Sequence, residues 1–172
     1  MAQALALVRR DRGVDFEATE KLIRTAALEG AAKTLTVLFE KANDLVRERE
    51  HACPRCGCPM RRAGMRARRV TSILGEVTQE RAMYRCPCGA TAYPADELLD
   101  VKGTSRSPGV RRMTARLGAR ESFADAAEDL RELAGISVSA KDCERSSEKT
   151  GADAAAWEER RRGHAPNPAQ PA

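Results

Sequence analysis

Apolar residues recur at helical spacing over residues 15–50. Phe16, Leu22, Ile23 and Ala26 form one set, and Leu35, Leu38, Ala42 and Leu45 follow with a 3–4–3 pattern. Gly30 lies between the two sets and predicts a break, hence a helical hairpin over residues 1–50. The 3–4–3 stripe also suits a homodimer through a short coiled coil, although it covers barely two heptads. Past residue 51 the pattern changes. Residues 68–74 and 76–84 are rich in strand formers with Gly75 between them, which predicts a β-hairpin inside a module spanning 51–93. Residues 94–106, with Pro94 and Gly103, read as a linker.

Three helices with clear start signals follow. Ser107-Pro108 supplies an N-cap and a proline at the first helical position, for a helix reaching Gly118. Ser122, with Asp125 three residues on, opens a second helix through Leu133 and Ala134 that Gly135 closes. Ser139 with Asp142 opens a third through Cys143, reaching Trp157. Val110, Met113, Leu117, Phe123, Ala127, Leu130, Leu133, Ile136, Val138 and Cys143 suffice for one small core over 107–157. Two of these helices joined by a short Gly-containing turn make a helix-turn-helix candidate. Residues 158–172 run into a Pro/Ala-rich stretch without a packable pattern and read as a disordered tail.

Composition argues against a single large core. The chain has 172 residues and only six aromatics (three Phe, two Tyr, one Trp), so several small modules fit better. The apolar run before Arg9 and Arg10 is too short for a secretory signal, and its charges lie on the wrong side of it. No apolar stretch approaches the roughly 18–20 residues that span a bilayer. A cytoplasmic protein without a membrane role is the expectation, with its cysteines reduced.

Five of the six cysteines sit in two clusters, Cys53-Pro-Arg-Cys56-Gly-Cys58 and Cys86-Pro-Cys88-Gly89. Thiolates gathered this way in a reducing compartment point to one structural Zn²⁺ ion. Cys53, Cys56, Cys86 and Cys88 are the expected ligands, with Cys58 able to replace one of the second pair, because that pair is separated by one residue instead of two. His51 is a weaker alternative. Such a site contributes about 10–16 kcal/mol of apparent folding free energy to a module with little core of its own. Four thiolates leave no coordination position for a reacting water. Cys143 falls on the core side of its helix and reads as a small buried hydrophobe. The fold expected is therefore mainly α with a small β zinc ribbon, between an N-terminal helical hairpin and a C-terminal trihelical helix-turn-helix.

Charge then suggests the partner. The net charge is +5. Residues 1–50 balance nine basic against nine acidic side chains, whereas residues 101–120 carry six basic side chains and no acid. Between 61 and 85 the basic set is Arg61, Arg62, Arg66, Arg68, Arg69, Arg81 and Arg85, against Glu76 and Glu80. Two arginine-rich blocks beside a zinc module and a helical unit point to a polyanion. Arg61, Arg62, Arg66, Arg68, Arg69, Arg111, Arg112 and Arg116 are the candidate phosphate contacts, and Ser139, Lys141 and Arg145 the candidate readers of base edges. The sequence offers no carboxylate triad, Ser/His/Asp set or Gly-rich phosphate loop to suggest catalysis.

Several of these segments, taken in order, resemble a known family. They are Cys53-Pro-Arg-Cys56-Gly-Cys58-Pro-Met60-Arg61, Leu74-Gly75-Glu76-Val77, Tyr84-Arg85-Cys86-Pro87, Ser107-Pro108-Gly109-Val110-Arg111-Arg112, Ser122-Phe123-Ala124-Asp125-Ala126-Ala127 and Val138-Ser139-Ala140-Lys141. Together they look like the N-terminal half of ISKra-type insertion-sequence transposases, over residues 15–160. The resemblance implies double-stranded DNA as partner, with recognition of a mobile element's terminal repeats by the zinc ribbon and the helix-turn-helix. It does not imply catalysis, because nothing here matches the family's acidic triad, and it pictures a chain truncated before the catalytic domain. Two other readings remain: a zinc-ribbon and helix-turn-helix transcriptional regulator of antitoxin type, and a zinc-ribbon protein-interaction module.

Overall fold

The structure, a computed structural model, describes residues 9–10, 13–47 and 50–163. The chain divides into two compact units, one up to residue 107 and one from residue 108 on. In the first, the short strands β1 (Arg9–Arg10) and β2 (Gly13–Val14) pair antiparallel ahead of a helix, α1 (Phe16–Arg47). A three-stranded antiparallel sheet follows, in the order β3 (Arg61–Ser72), β4 (Gly75–Arg85), β5 (Thr91–Ala92), then a short helix α2 (Pro94–Leu98). The second unit holds three helices, α3 (Pro108–Gly118), α4 (Phe123–Ala134) and α5 (Ala140–Gly163).

In place of the expected hairpin, α1 is one helix of 32 residues that runs straight through Gly30. An internal glycine costs only about 1 kcal/mol relative to alanine. Its neighbours Ala26, Ala27, Ala31 and Ala32 are the best helix formers available. The C-terminal half of α1 has a sheet to lie on. Ala32 and Phe39 are buried with Val77, and Val46 is buried with Tyr84 and Ala82.

The hairpin of β3 and β4 is longer than the sequence suggests, and its turn lies at Ile73-Leu74, just before Gly75. Ser72 locks that turn: its hydroxyl donates to the Gly75 carbonyl at 2.8 Å and accepts from the Leu74 N–H at 3.1 Å. The register slips between Arg62 and Met65, where Gly64 takes a positive φ of 116°. Such a bulge accommodates an extra residue that only glycine adopts without strain.

One edge of β4 beyond its pairing with β5 is covered by α1 through Asn43. The buried Asn43 amide donates to the Glu80 carbonyl and accepts from the Ala82 N–H at 3.2 Å. A side-chain amide thus completes two backbone groups that a neighbouring strand would otherwise satisfy.

Residues 94–106 are not a linker. Ala95, Asp96 and Val101 are buried. The outer edge of β3 is paired at Thr71, whose N–H donates to the Ser105 carbonyl at 2.8 Å and whose carbonyl accepts from the Ser107 N–H at 2.9 Å. The segment looks polar in sequence because its central acid, Asp96, meets two guanidiniums inside the fold. Arg68 reaches Asp96 at 2.8 Å and Arg81 pairs with the same carboxylate oxygen. Arg81 also lies over the Tyr93 ring, 3.8 Å from its centroid.

The second unit follows its sequence signals closely. Ser122 caps α4 by accepting from the Asp125 N–H at 3.2 Å, and Gly135 closes it in the left-handed region at φ 68°. Ser139 caps α5 by accepting from the Asp142 N–H at 3.1 Å. Val110, Ala126, Leu130, Ile136 and Cys143 form the buried core, with Cys143 fully inside as expected. Two expectations fail. Leu133 is 70% exposed, and α5 continues past Trp157 to Gly163. The extension joins residues 158–163, expected in the tail, to a helix whose Glu158 and Arg162 pair one turn apart at 3.3 Å. The rest of the expected tail, 164–172, lies outside the described residues.

The Asn43 bridge yields a measurable expectation. Asn43→Leu keeps the size but leaves the buried Ala82 N–H and the part-buried Glu80 carbonyl without this partner, so stability should fall by about 1–3 kcal/mol. Chemical denaturation of the metal-loaded chain checks this; a loss under about 0.5 kcal/mol contradicts the bridge.

Candidate metal centre

Each pair of cysteines is presented by a tight backbone loop. In the first, the Gly57 N–H donates to the Cys53 carbonyl and the Cys53 N–H to the Cys58 carbonyl, both at 2.8 Å. Gly57, at φ 73°, lets the chain double back. In the second, the Gly89 N–H donates to the Cys86 carbonyl at 3.0 Å, the Cys86 N–H donates to the Ala90 carbonyl at 2.9 Å, and Gly89 sits at φ 86°. The loops leave the outer ends of β3 and β4, so pairing Arg61 with Arg85 brings them together.

The result is a four-sulfur cluster. The Sγ atoms of Cys53, Cys56, Cys86 and Cys88 all lie within 4.8 Å of one another. Cys53 and Cys88 approach to 3.7 Å, and Cys56 and Cys86 to 3.5 Å. A disulfide needs about 2.05 Å, and all six cysteines are free. A tetrahedral ion with metal–sulfur bonds of about 2.3 Å requires edges of about 3.8 Å, so the four sulfurs can hold a metal ion with only small adjustments. The single residue between Cys86 and Cys88 is therefore compatible with chelation.

Burial is alternate: Cys53 and Cys86 are inside, Cys56 and Cys88 outside. The Arg55 N–H, donating to the Cys53 sulfur at 3.4 Å, is the main reason that thiol is lowered to about 7, against the opposing effect of burial. At Cys86 the Cys88 backbone N–H favours the thiolate. Burial and hydrogen bonds with the Cys88, Cys56 and Cys53 thiols outweigh it and push Cys86 up to about 12. Crowded thiols resist deprotonation one after another, and a bound cation removes that resistance by replacing their protons.

Cys58 is exposed and lies outside the cluster. His51 is not a ligand either. Its Nε2 is 2.9 Å from the Val46 carbonyl, and its ring meets Tyr84 edge-on at 4.5 Å between centroids. It ties the end of α1 to the base of the hairpin.

The expected phosphate contacts scatter. Arg61, Arg62 and Arg69 are exposed on β3, although Arg62 reaches the Met65 sulfur at 3.1 Å. Arg66 is exposed too, but its guanidinium donates to the Met65 carbonyl at 2.9 Å. Arg68 is removed from the set, being largely buried and held by Asp96 and the Thr104 carbonyl. In the second unit, Arg111, Arg112 and Arg116 do come together. With Pro108, Ala115, Thr150 and Asp153 they line a groove of ≈ 470 Å³ between α3 and α5. Of the expected base readers, Ser139 is engaged as the cap of α5, Lys141 pairs with Glu144 at 2.6 Å, and Arg145 is exposed.

Sequence reasoning missed Asn43, Asp96, Thr150 and Asp153. Asn43 carried a signal, a polar residue inside the apolar stripe of Phe39, Ala42 and Val46. No described helix is long and apolar enough to cross a membrane. The chain matches no protein-family model, no curated protein and no solved structure.

Two outcomes test the centre. Cys86→Ser should abolish loading of one metal ion per chain, while Cys58→Ser should leave it intact. Affinity should also fall as pH drops, because the ligands bind as thiolates. The loss steepens below about 7, where Cys53 regains its proton as well. Competition with a chelator at several pH values reads both. Equal metal content in the two variants, or a flat pH profile, contradicts the assignment.

Proposed function

We propose that this chain binds double-stranded DNA, with one structural Zn²⁺ ion shaping the first unit and the arginine groove of the second holding phosphates. Zinc is the natural occupant of four cysteine sulfurs at tetrahedral spacing, since it favours thiolates and imposes no other geometry. When bound it supplies rigidity, and no reaction step depends on it.

The observation that carries the DNA reading is the groove between α3 and α5. Arg111, Arg112 and Arg116 line one wall, and α3 contains no acidic residue. Phosphate oxygens accept from guanidinium forks in bidentate fashion, which is why arginine clusters of this kind suit a nucleic-acid backbone. The neighbouring α4 has the opposite character, with Asp125, Glu128, Asp129 and Glu132 against Arg131 alone. That asymmetry favours α3 as the main contact with the DNA backbone.

A helix-turn-helix reading makes α5 the reader of base edges, following the turn of residues 135–139. Arg145 is available for that role. The exposed Lys141–Glu144 pair opens at a cost below about 1 kcal/mol, which leaves Lys141 available too. On β3, Arg61 and Arg69 extend the basic surface of the first unit. The terminal repeats of a mobile element, as in ISKra-type transposases, are the target implied by the resemblance.

Binding of a fluorescent duplex should weaken steeply with salt and weaken again when zinc is chelated. Arg112→Ala and Arg116→Ala should each lower the salt slope by about 1. A symmetric footprint with half-sites one helical turn apart would favour the antitoxin-type regulator over the transposon-end reader. Binding indifferent to salt and to both substitutions would overturn the DNA reading.

A further inference from the structure

We infer that α1 is an antiparallel dimerisation helix whose partner is a second copy of this chain. Only one side of α1 is occupied by its own unit. Ala32, Phe39, Ala42, Asn43 and Val46 are buried against the sheet, but a separate apolar stripe faces outward. Phe16 is 74% exposed, Ile23 64%, Leu38 59% and Leu45 58%. At about 100° per residue, these four positions fall within roughly 60° of one another around the helix, centred about 120° from the middle of the buried side, with Ala42 at the border between the two.

The arrangement of the stripe identifies its occupant. When two copies of one helix pack antiparallel about a two-fold axis, residue i of one faces residue j of the other, with i and j summing to a constant. Here Phe16 and Leu45 sum to 61, and so do Ile23 and Leu38. Each large side chain therefore meets a large one on the partner. The midpoint falls between Gly30 and Ala31, with Ala27 opposite Thr34. Small residues stand where two helices must approach most closely. A methyl built at Gly30 would meet nothing within 4 Å in the isolated chain, so nothing within the unit itself demands glycine there.

Charge agrees with the same register. Glu20 and Lys41 lie on the stripe and also sum to 61. Among the described residues neither has an ion-pair partner. In the antiparallel pair each Glu20 faces the partner's Lys41, giving two such pairs per dimer by symmetry. Glu17 and Asp44 share the sum but lie well off the stripe. A parallel pair would instead set Glu20 beside Glu20 and Lys41 beside Lys41, which repels. The stripe spans 29 residue steps, about 44 Å of helix, long enough for a stable two-helix contact.

The test is the mass of the full metal-loaded chain by sedimentation equilibrium. A dimer is expected. Glu20→Lys and Lys41→Glu should each weaken it about tenfold at low salt, and the double exchange should restore it. Leu38→Asp should leave a monomer with unchanged far-UV circular dichroism per residue of the sheet unit. A monomeric wild type overturns the inference. So does a dimer insensitive to Leu38→Asp, or one in which the double exchange fails to rescue.

Discussion

The first unit depends on bringing four sulfurs to one point. Its hairpin is electrostatically awkward, because Arg61 stands opposite Arg85 and Arg66 opposite Arg81. Like charges directly across an antiparallel pair destabilise it. Two features offset that repulsion. Asp96 pairs with Arg81 as well as Arg68, and the cysteine loops clamp the strand ends beside Arg61 and Arg85. The buried apolar residues of this unit fall into two separate clusters, and a multivalent cation held by four thiolates would be the strongest single constraint on the hairpin end that carries the cysteines.

Asn43 and His51 belong to the same scheme. One completes the open edge of β4, and the other joins the end of α1 to Tyr84 at the hairpin base. Helix, sheet and metal loops are thereby connected through directed contacts that supplement two buried apolar clusters. The second unit has a single buried core shared by its three helices, and its polarity resides in the contrast between the basic α3 and the acidic α4.

Local signals were the most legible part of the sequence. The caps at Ser122 and Ser139, the left-handed Gly135 and the two glycine-bearing cysteine loops each follow from backbone chemistry within a few residues, and each is found where expected. What could not be read were choices made by distant partners. Gly30 does not break α1, since its alanine neighbours favour helix and the sheet supports only the later half. Residues 94–106 look like a linker until Arg68 and Arg81 are seen to surround Asp96. For the same reason Arg68 looked like a phosphate contact: a charged residue in sequence does not reveal whether its counterion is inside the fold.

Hydrogen exchange followed with and without a chelator tests the role of the four cysteines most directly. Removing the metal should expose the Ala82 and Cys86 amides, bonded to Asn43 and to the Ala90 carbonyl, to rapid exchange. The Cys143 and Ile136 amides of the trihelical core should keep their protection. Equal protection of the Ala82 and Cys86 amides in both conditions would contradict the claim that the four-thiolate centre holds the first unit together.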